Sequence, residues 1–558
     1  MSQQAEQMLD HHRETLDQAV EAISTRGFWS PYPENIKKYP EESVKGAPKR
    51  FEALLHQPFS LKVPAVAGQV GAEVSPYGFE LGVTYDQPEQ AALIEAMQAA
   101  MPVWRDAGAE SRVGVCLEIL ARLNAMSPDI AQAVMHTSGQ GAMMAFQAGG
   151  PHAQDRGLEA VAYAWQAMSQ VPATAKWVKP QGKHDPLVLD KRYHIVPRGI
   201  SLVVSCSTFP TWNTYPGLFA SLATGNPVIL KPHPGAILPV AMTARVAQEV
   251  LEEAGFDPCL VSLVPDTAEA PVAKSLALDP AVKLIDFTGS NAFGEWLERN
   301  ATQARVFTEK AGINTVIIDS VDSLKAVAQN LAFSLSLFSG QMCTTPQAIY
   351  VPKTGIQTAE GSLSFDEVAG ALAKAVEAFL SDNDRACAVL GAIQSPATAA
   401  RIDECRGLGE VLLDSEPREH AQFPKARVHT PLLLKVDAGQ RNTFSEERFG
   451  PISFVIATDS TAQSIELARD VIGDKGAITL GAYTTDDAVA EEFEALAMDV
   501  AAPLSLNMDG GILVNQSAAF SDFHATGGNP AANASLCDQA FVTPRFVVVQ
   551  SRRHAKTE

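Results

Sequence analysis

Short runs of β-branched and other apolar residues alternate with helical patterns between residues 200 and 310. The segments between these runs carry apolar residues at three- to four-residue spacing, as in Leu238, Met242, Val246 and Val250. This alternation predicts a parallel sheet covered by helices, the doubly wound α/β arrangement. The predicted strands are Ile200–Val204, Pro227–Leu230, Leu260–Val264, Val282–Phe287 and Val306–Thr308.

Three further regions flank this alternation. Apolar residues at helical spacing from about residue 87 to 165 predict a group of helices, and a second strand–helix alternation from about residue 315 to 485 predicts another α/β unit. Residues 1 to about 60 form an extension whose helical pattern ends at Gly27. The prolines and aromatic residues after Gly27 predict an extended segment that lies over another surface.

Two strand-like runs, Tyr193–Val196 and Phe541–Gln550, stand apart from these regions. The second run lies near the C-terminus and is too apolar to remain an open sheet edge. It therefore needs a pairing edge, either on another subunit or within its own chain. Pairing with another subunit predicts a homodimer or a homotetramer.

Composition narrows the class of protein. The chain has 558 residues, too many for one ordinary domain, and its formal net charge of −21 argues against a nucleic-acid partner bound through a broad basic face. No run reaches the roughly 18 apolar residues of a membrane span, and the N-terminus lacks signal-peptide features, so no membrane partner is expected. Seven scattered cysteines argue against a disulfide framework and a metal site, and they predict the reducing cytoplasm.

One cysteine and two carboxylates stand in places suited to chemistry. Cys343 follows a helical pattern that ends at Gly340, among small polar residues, and it is either a small core residue or a reactive thiolate. Glu309 ends a predicted strand, at the sheet edge where doubly wound folds bind ligands. Glu447 precedes an aromatic residue and a Gly-Pro turn, and it belongs either to a charged loop or to a functional site.

Residues 287–294 (FTGSNAFG) join a predicted strand to the start of a helix through glycines. Glycines in that position let the backbone and the helix N-terminus approach a pyrophosphate. Taken alone, the pattern fits an ordinary strand–helix turn equally well.

Taken together and in this order, the segments resemble the aldehyde dehydrogenase superfamily. The resemblance covers about residues 85 to 550 and rests on TGNPVILKP at 224–232, FTGSNAFG at 287–294, Glu309, Cys343 34 residues later, Glu447 with FGP at 449–451, LVN at 513–515 and GG at 527–528. It implies an α/β fold with a Rossmann-type cofactor domain, an α/β catalytic domain and a small β oligomerisation element.

The resemblance also implies how the chain is divided. Residues 61–185 and 201–311 would form the NAD(P)-binding domain, and residues 312–505 the catalytic domain. Residues 186–200 and 506–558 would form the oligomerisation and closing segment, with residues 1–60 as an N-terminal extension. Residues 187–196 resemble the oligomerisation hairpin of the superfamily, which supports a homo-oligomer.

The implied activity is NAD(P)-dependent oxidation of an aldehyde to a carboxylic acid. By resemblance, Cys343 is the nucleophile and its backbone N–H is an oxyanion donor. Glu309 is the base that activates water to cleave the thioester. The residues implied in cofactor binding are Lys231, His233, Pro234, Gly289, Ser290, Gly294, Glu447 and Phe449.

Two positions depart from the superfamily pattern. The second oxyanion donor is usually an asparagine side chain, whereas Thr208 holds the aligned position and Asn213 lies five residues later as a substitute. The carboxylate that often binds the adenosine ribose is replaced by Pro234. Without that carboxylate, and with Lys231 and His233 nearby, NADP becomes acceptable beside NAD, and cofactor choice is predicted to be relaxed or to lean towards NADP.

Within the superfamily the chain is most similar to the PaaN branch, through its N-terminal extension, KPHP at 231–234 and SGQMCT at 339–344. That branch is associated with phenylacetate catabolism, which implies a ring-opened, CoA-linked semialdehyde as the small-molecule substrate. Two other functions stay open. One is a CoA-acylating dehydrogenase, favoured by Asn314-Thr315 and opposed by Glu309, and the other is a catalytically weak binding or assembly member.

Overall fold

The computed structural model describes residues 3–555, and the N-terminal extension begins with two helices. Helix α1 (Gln3–Thr25) buries Leu16 against the rest of the chain and ends close to Gly27, as predicted. Helix α2 (Glu41–Glu52) was not predicted, because its sequence is mostly polar and Pro48 lies inside it. The extension is therefore folded, with an extended stretch between its two helices.

Five short strands and five helices follow the extension. The helical region predicted between residues 87 and 165 corresponds to α3–α7, and α1 packs along α4. Among residues 3–555, no helix is both long and apolar enough to cross a lipid bilayer. The elements are β1 (Pro58–Phe59), β2 (Val66–Val70), β3 (Val74–Ser75), β4 (Phe79–Glu80), β5 (Thr84–Pro88), α3 (Gln90–Asp106), α4 (Gly108–Ala125), α5 (Ser127–Ser138), α6 (Ala142–Gly149) and α7 (Pro151–Ser169).

The next segment contains a long hairpin and then the first large sheet. The predicted strands of that sheet agree with the structure to within one residue at each end, whereas the predicted run Tyr193–Val196 is only the last part of β7. The elements are β6 (Thr174–Gln181), β7 (His184–Pro197), β8 (Ile200–Val204), α8 (Thr214–Ala223), β9 (Val228–Lys231), α9 (Leu238–Glu253), β10 (Val261–Leu263), α10 (Ala273–Ala277), β11 (Val282–Thr288), α11 (Asn291–Asn300) and β12 (Arg305–Glu309).

Strands β8 to β12 form one parallel sheet in the order β10-β9-β8-β11-β12. Both faces are covered, since Val203 packs into one hydrophobic core and its neighbours Leu202 and Val204 pack into another. This is the doubly wound arrangement that the alternation predicted. The register pairs Thr288 with Glu309, so the carboxyl ends of β11 and β12 meet at one edge of the sheet.

The second α/β region builds a seven-stranded sheet in the order β18-β19-β20-β15-β13-β21-β22, in which only β18 is antiparallel to its neighbour. Its elements, with a small side sheet, are β13 (Thr315–Ile318), β14 (Ser320–Val321), α12 (Leu324–Ser336), β15 (Ala348–Pro352), β16 (Ile356–Thr358), β17 (Gly361–Leu363), α13 (Phe365–Phe379), α14 (Asn383–Leu390), α15 (Pro396–Cys405), β18 (Glu410–Leu413), β19 (Leu432–Asp437), α16 (Arg441–Phe444), β20 (Ile452–Thr458), α17 (Thr461–Lys475), β21 (Leu480–Tyr483), α18 (Asp487–Asp499) and β22 (Leu504–Leu506).

Residues 507–538, all of them described, contain no helix or strand, and we call them the closing segment. Helix α19 (Gln539–Val542) and strand β23 (Phe546–His554) end the described chain. The prediction that the terminal strand begins at Phe541 is wrong. The Asp538 carboxylate caps a helical turn by accepting a hydrogen bond from the Phe541 N–H over 2.6 Å, and Phe541 is buried.

Strand β23 pairs antiparallel with β7 of the same chain, so one of its two edges is paired within the subunit. Just before β23, the fully buried Arg545 donates two hydrogen bonds to the Asp286 carboxylate, over 2.7 and 2.6 Å. Removing one partner of such a buried pair costs about 3–5 kcal/mol of stability. This ion pair attaches the C-terminal part of the chain to the parallel sheet.

Candidate active site

Glu309 lies at the carboxyl end of β12 and has only 4% of its surface exposed. Asn213 Nδ2 donates a hydrogen bond to one carboxylate oxygen over 3.0 Å, and Nε2 of His524 lies 3.1 Å from the other oxygen. Because both oxygens have a partner, the carboxylate is held in one orientation at the edge of the sheet.

Cys343 lies in the loop between α12 and β15, shortly after Gly340. Gly340 has φ 64°, and a Cβ there would lie 2.4 Å from the carbonyl oxygen of Gly450, so glycine is required for this close approach. The Cys343 Sγ lies 3.6 Å from Nε2 of His524. One atom each from Cys343, His524 and Glu309 lies within 4.8 Å of the other two.

The structure thus brings together Cys343 and Glu309, the two predicted catalytic residues, and adds His524 between them. A cysteine, a histidine and a glutamate at this spacing also match the spacing of a metal site. The prediction that the chain has no metal site therefore stays a prediction.

The electrostatic setting keeps the thiol and the carboxylate in different protonation states. Burial raises the pKa of the Cys343 thiol well above its usual range, and the charge of Glu309 raises it further. Burial also acts to raise the pKa of Glu309, but the charge and hydrogen bond of His524 and a hydrogen bond from Cys343 outweigh it and lower that pKa. At neutral pH, Cys343 must therefore lose a proton before it can attack a carbonyl.

Asn314 fixes the backbone of the nucleophile loop. Its Nδ2 donates hydrogen bonds to the carbonyl oxygens of Cys343, over 2.6 Å, and Thr345, over 3.1 Å. Its Oδ1 accepts hydrogen bonds from the N–H groups of Ile478 and Thr479, both over 3.0 Å. The Asn314 side chain therefore connects the cysteine loop to the segment of the same chain just before β21.

Both side chains proposed as the second oxyanion donor, Thr208 and Asn213, are engaged in other hydrogen bonds. The Thr208 hydroxyl donates to the sulphur of Cys206 over 3.9 Å, and the Thr208 carbonyl accepts from Gln140. Asn213 accepts a hydrogen bond from Cys206 and donates to Glu309. In this arrangement Asn213 orients the carboxylate, and the backbone N–H of Cys343 remains the predicted oxyanion donor.

The closing segment carries His524, and Arg156 of α7 holds that segment in place. Arg156 is fully buried and donates hydrogen bonds to the carbonyl oxygens of Asp522 and Leu536, both over 3.0 Å, and to Ser517 Oγ over 3.1 Å. Ser517 Oγ in turn lies 3.1 Å from Nδ1 of His524. His524 and Leu536 exchange two backbone hydrogen bonds of 2.9 Å.

Gly289, Ser290 and Gly294 lie together where β11 passes into α11. Ser290 precedes this ten-residue helix, whose N-terminus suits a bound phosphate group. Gly294 faces the Lys310 side chain so closely that a Cβ would lie 2.6 Å from it. This turn lies at the same sheet edge as Glu309, and it remains the predicted site of a dinucleotide pyrophosphate.

Lys231 ends β9 and forms a buried ion pair that sequence reasoning did not identify. Its Nζ lies 2.5 Å from a carboxylate oxygen of Asp266, and the other oxygen accepts the N–H of Val272 over 3.0 Å. Burial lowers the pKa of Lys231, and Asp266 opposes that shift. His233 is exposed, and its Nδ1 accepts a hydrogen bond from the Gly235 N–H over 3.1 Å. Pro234, between these two residues, is half-buried.

Glu447 and Phe449 lie in the loop between α16 and β20, which touches the nucleophile loop at Gly450. Arg401 donates a hydrogen bond to the carbonyl oxygen of Phe449 over 2.5 Å. Burial raises the pKa of Glu447 to about 7, against the opposing charge of Arg401. The loop is thus close to Cys343, where a nicotinamide ribose would be expected.

A thiol and a carboxylate at the edge of a doubly wound sheet, beside a glycine turn at a helix N-terminus, are the parts of a nucleotide-dependent dehydrogenase that works through a thioester. The family model for the aldehyde dehydrogenase family matches residues 82–503. The chain belongs to this family and is an NAD(P)-dependent aldehyde dehydrogenase.

Individual relatives agree with this assignment. An NAD-dependent aldehyde dehydrogenase from Burkholderia multivorans is 56% identical, with a TM-score of 0.97 over 99% of both chains. The aldehyde dehydrogenase LUC3 from a Fusarium species is 23% identical over 379 residues, 67% of this chain and 74% of that protein. A Thermus 1-pyrroline-5-carboxylate dehydrogenase with bound NAD has a TM-score of 0.73 at 19% identity, over 95% of this chain and 99% of that one, a likeness that shows the fold alone.

Cys343→Ala is expected to reduce aldehyde oxidation by about a thousandfold or more, because the nucleophile is lost. Cofactor binding should be unchanged, since Cys343 is not among the residues predicted to bind the cofactor. Turnover is followed by absorbance of the reduced cofactor, and binding by titration of protein fluorescence. Cys405→Ala, at another buried cysteine, is the matched control and should retain activity. Near-normal oxidation by Cys343→Ala would rule out its role as the nucleophile.

Proposed function

We propose that this dehydrogenase oxidises a ring-opened, CoA-linked semialdehyde of phenylacetate catabolism to the free acid in the cytoplasm. The observation that carries the reaction type is the shared position of Cys343 and Glu309 at one buried sheet edge. Support for the substrate comes from the resemblance of the N-terminal extension and of residues 231–234 and 339–344 to the PaaN branch. All seven cysteines are free thiols, which suits a reducing compartment.

Each residue of the site has a part in this reaction. NAD(P), when bound, supplies the hydride acceptor. The Cys343 sulphur attacks the aldehyde carbon and afterwards holds the acyl group as a thioester, while its own N–H stabilises the oxyanion. Glu309, oriented by Asn213, takes a proton from the water that cleaves the thioester. Asn314 keeps the cysteine loop in position during both steps.

Release of the acyl group to CoA is the alternative reaction. Asn314 no longer supports it specifically, because its hydrogen bonds show a structural role in holding the cysteine loop. Glu309 has a defined partner on each carboxylate oxygen, which favours water as the acceptor. The assembled cluster also argues against a catalytically weak assembly member.

The variant Glu309→Gln distinguishes water from CoA as the acceptor of the acyl group. Purified, reduced protein is assayed with free and CoA-linked semialdehydes, with and without added CoA, by absorbance of the reduced cofactor. If water is the acceptor, the variant should give a burst of reduced cofactor and then stall, because the thioester is no longer cleaved. The general-base contribution predicts a steady-state loss of about a hundredfold or more.

The outcomes of this assay are distinct. A wild-type rate that requires CoA would contradict release of a free acid, and unchanged steady-state turnover of Glu309→Gln would assign water activation to another group. Absence of oxidation with every CoA-linked semialdehyde, alongside activity on other aldehydes, would overturn the proposed substrate.

NAD is proposed as the preferred cofactor, although Pro234 by itself leaves NADP acceptable. The Lys231 charge is already matched by Asp266, so this cation has less charge to offer a 2′-phosphate. Asp266 also adds a buried negative charge close to the end of β9, which disfavours a 2′-phosphate there.

Asp266→Asn is expected to raise the ratio of kcat/KM for NADP to that for NAD by about tenfold or more, because it frees the Lys231 charge. The amide oxygen can still accept the Val272 N–H. Steady-state titration with both cofactors measures the ratio. Asp257→Asn removes a carboxylate that caps the turn before β10, at the other end of that strand from Asp266, and should leave the ratio unchanged. A wild-type preference for NADP would contradict the proposal.

A homodimer or homotetramer is proposed from the sheet β23-β7-β6. Val547, Val548 and Val549 remain 39 to 49% exposed although β23 pairs within its own chain. The other exposed edge of this sheet carries Trp177 and Val178. A contact between copies would cover this apolar surface.

Val547→Lys combined with Val549→Lys should lower the mass of the particle measured by light scattering, since charges would replace an apolar contact. Ser551→Lys, on the same strand, is the control and should leave the mass unchanged. A wild-type protein that is monomeric at micromolar concentration would refute the assembly.

A further inference from the structure

His524 is placed so that one ring nitrogen faces both catalytic groups. Its Nε2 lies 3.6 Å from the Cys343 sulphur and 3.1 Å from Glu309 Oε1. The side chain has 4% exposure, so water competes little for these contacts. No motif of the sequence assigned a role to this residue.

The charges of the cluster leave a difficulty that Glu309 alone does not resolve. Activation of Cys343 by removing its proton places a thiolate beside a buried carboxylate, and two adjacent negative charges in such a site oppose each other. If Glu309 took the thiol proton itself, it would also lose the basic form needed later for water. A neutral base that becomes positive on protonation removes both problems.

We propose that His524 is a catalytic residue that accepts the proton of Cys343 and forms a thiolate–imidazolium pair buttressed by Glu309. The inference rests on the proposed thioester reaction and adds a third residue to it. It also divides the work, with His524 activating the nucleophile and Glu309 remaining available for water.

The proton balance of this step is simple. Before the step the neutral ring carries its proton on Nδ1, donated to Ser517 Oγ, and Nε2 is unprotonated with its lone pair available to the thiol. The S–H bond of Cys343 breaks and leaves its electron pair on sulphur, while a new N–H bond forms at Nε2 of His524. The imidazolium then donates this N–H to the Glu309 carboxylate, and its Nδ1–H is donated to Ser517 Oγ. The net charge of Cys343, His524 and Glu309 together is −1 before and after the transfer, so no charge is added to the buried site.

Several contacts fix the ring at this position. The Trp212 ring meets the His524 ring edge-on at 4.7 Å between centroids, and Ser517 binds Nδ1. Arg156 can only donate hydrogen bonds, so Ser517 Oγ accepts from it with one lone pair and has another for the Nδ1–H. Ser517 and Arg156 are therefore positioning residues for His524.

The N-terminal extension supports the same segment from outside. The Arg26 guanidinium lies 3.9 Å from the centroid of the Phe523 ring, directly before His524 in the chain. Trp29 meets the Phe520 ring edge-on at 4.9 Å. The extension thus limits the movement of the part of the closing segment that carries the histidine.

The ionisable groups around His524 come from several elements. Glu309 approaches from β12 and Cys343 from the nucleophile loop, and Arg156 of α7 acts through Ser517. Cys206, after β8, lies close enough to influence the Cys343 thiol. A pH profile of Cys343 must therefore be compared between variants that leave these other groups intact.

The test measures alkylation of Cys343 by iodoacetamide between pH 5.5 and 10, with the modified peptide quantified by mass spectrometry and EDTA present to exclude metal binding. His524→Gln keeps a hydrogen-bonding side chain of similar length but cannot take up the proton. It should slow alkylation at pH 7 by about tenfold or more and move the midpoint of the profile upward by about one pH unit or more. His152→Gln, an exposed histidine on α7, should match the wild type.

Ser517→Ala provides a second measurement that leaves the imidazole in place. It should shift the same profile in the same direction by a smaller amount, because Nδ1 loses its partner. If His524→Gln is recovered unfolded, the alkylation profile of Ser517→Ala tests the proposal instead. A profile that stays within twofold of the wild type in a folded His524→Gln variant, or in Ser517→Ala when it has to decide, would overturn the proposal.

Failure of this inference and failure of the proposed function are distinguishable, because alkylation needs no aldehyde. A wild type that oxidises aldehydes while the variants keep the wild-type alkylation profile would reject only the role of His524. If the wild type oxidises no aldehyde but the variants show a shifted alkylation profile, the histidine pair would be supported and the proposed reaction rejected.

Discussion

The fully buried ion pair between Arg156 and Glu159 connects parts of the molecule that are far apart in the sequence. Both residues lie on α7, and their side chains are 0% exposed. Arg156 binds three carbonyl or hydroxyl groups of the closing segment, while Glu159 accepts the Phe520 N–H and pairs with Arg26 of the extension. Loss of one partner would leave a buried charge unmatched, which costs about 3–5 kcal/mol.

The catalytic cluster depends on this anchor through His524, and none of its members is positioned by local structure alone. Glu309 is placed by strand register, Cys343 by the glycine contact and Asn314, and His524 by a segment without helix or strand. In such a site the same low polarity that strengthens each hydrogen bond also makes an unmatched charge expensive. Glu309 meets this demand with a neighbour at each carboxylate oxygen, Asn213 at one and His524 at the other.

The sequence predicted those features whose cause is local. Strands β8 to β12 followed from runs of β-branched residues, and the motifs around Glu309 and Cys343 led to the family. His524 escaped prediction because it meets Cys343 and Glu309 across separations of 181 and 215 residues, with no fixed spacing that pattern analysis can read. Asp266 escaped for the same reason, whereas Phe541 was misassigned because apolar content does not reveal a helix cap.

His524 follows Cys343 by 181 residues, so the two are also synthesised at different times. During synthesis, the parallel sheet and Cys343 leave the ribosome well before the closing segment and Arg545 do. The nascent chain therefore carries its nucleophile before the residue proposed to accept its proton has been made. A chain that ends after Cys343 but before His524 would lack the proposed base, and it would also leave the buried Arg156 without its acceptors at Asp522 and Leu536.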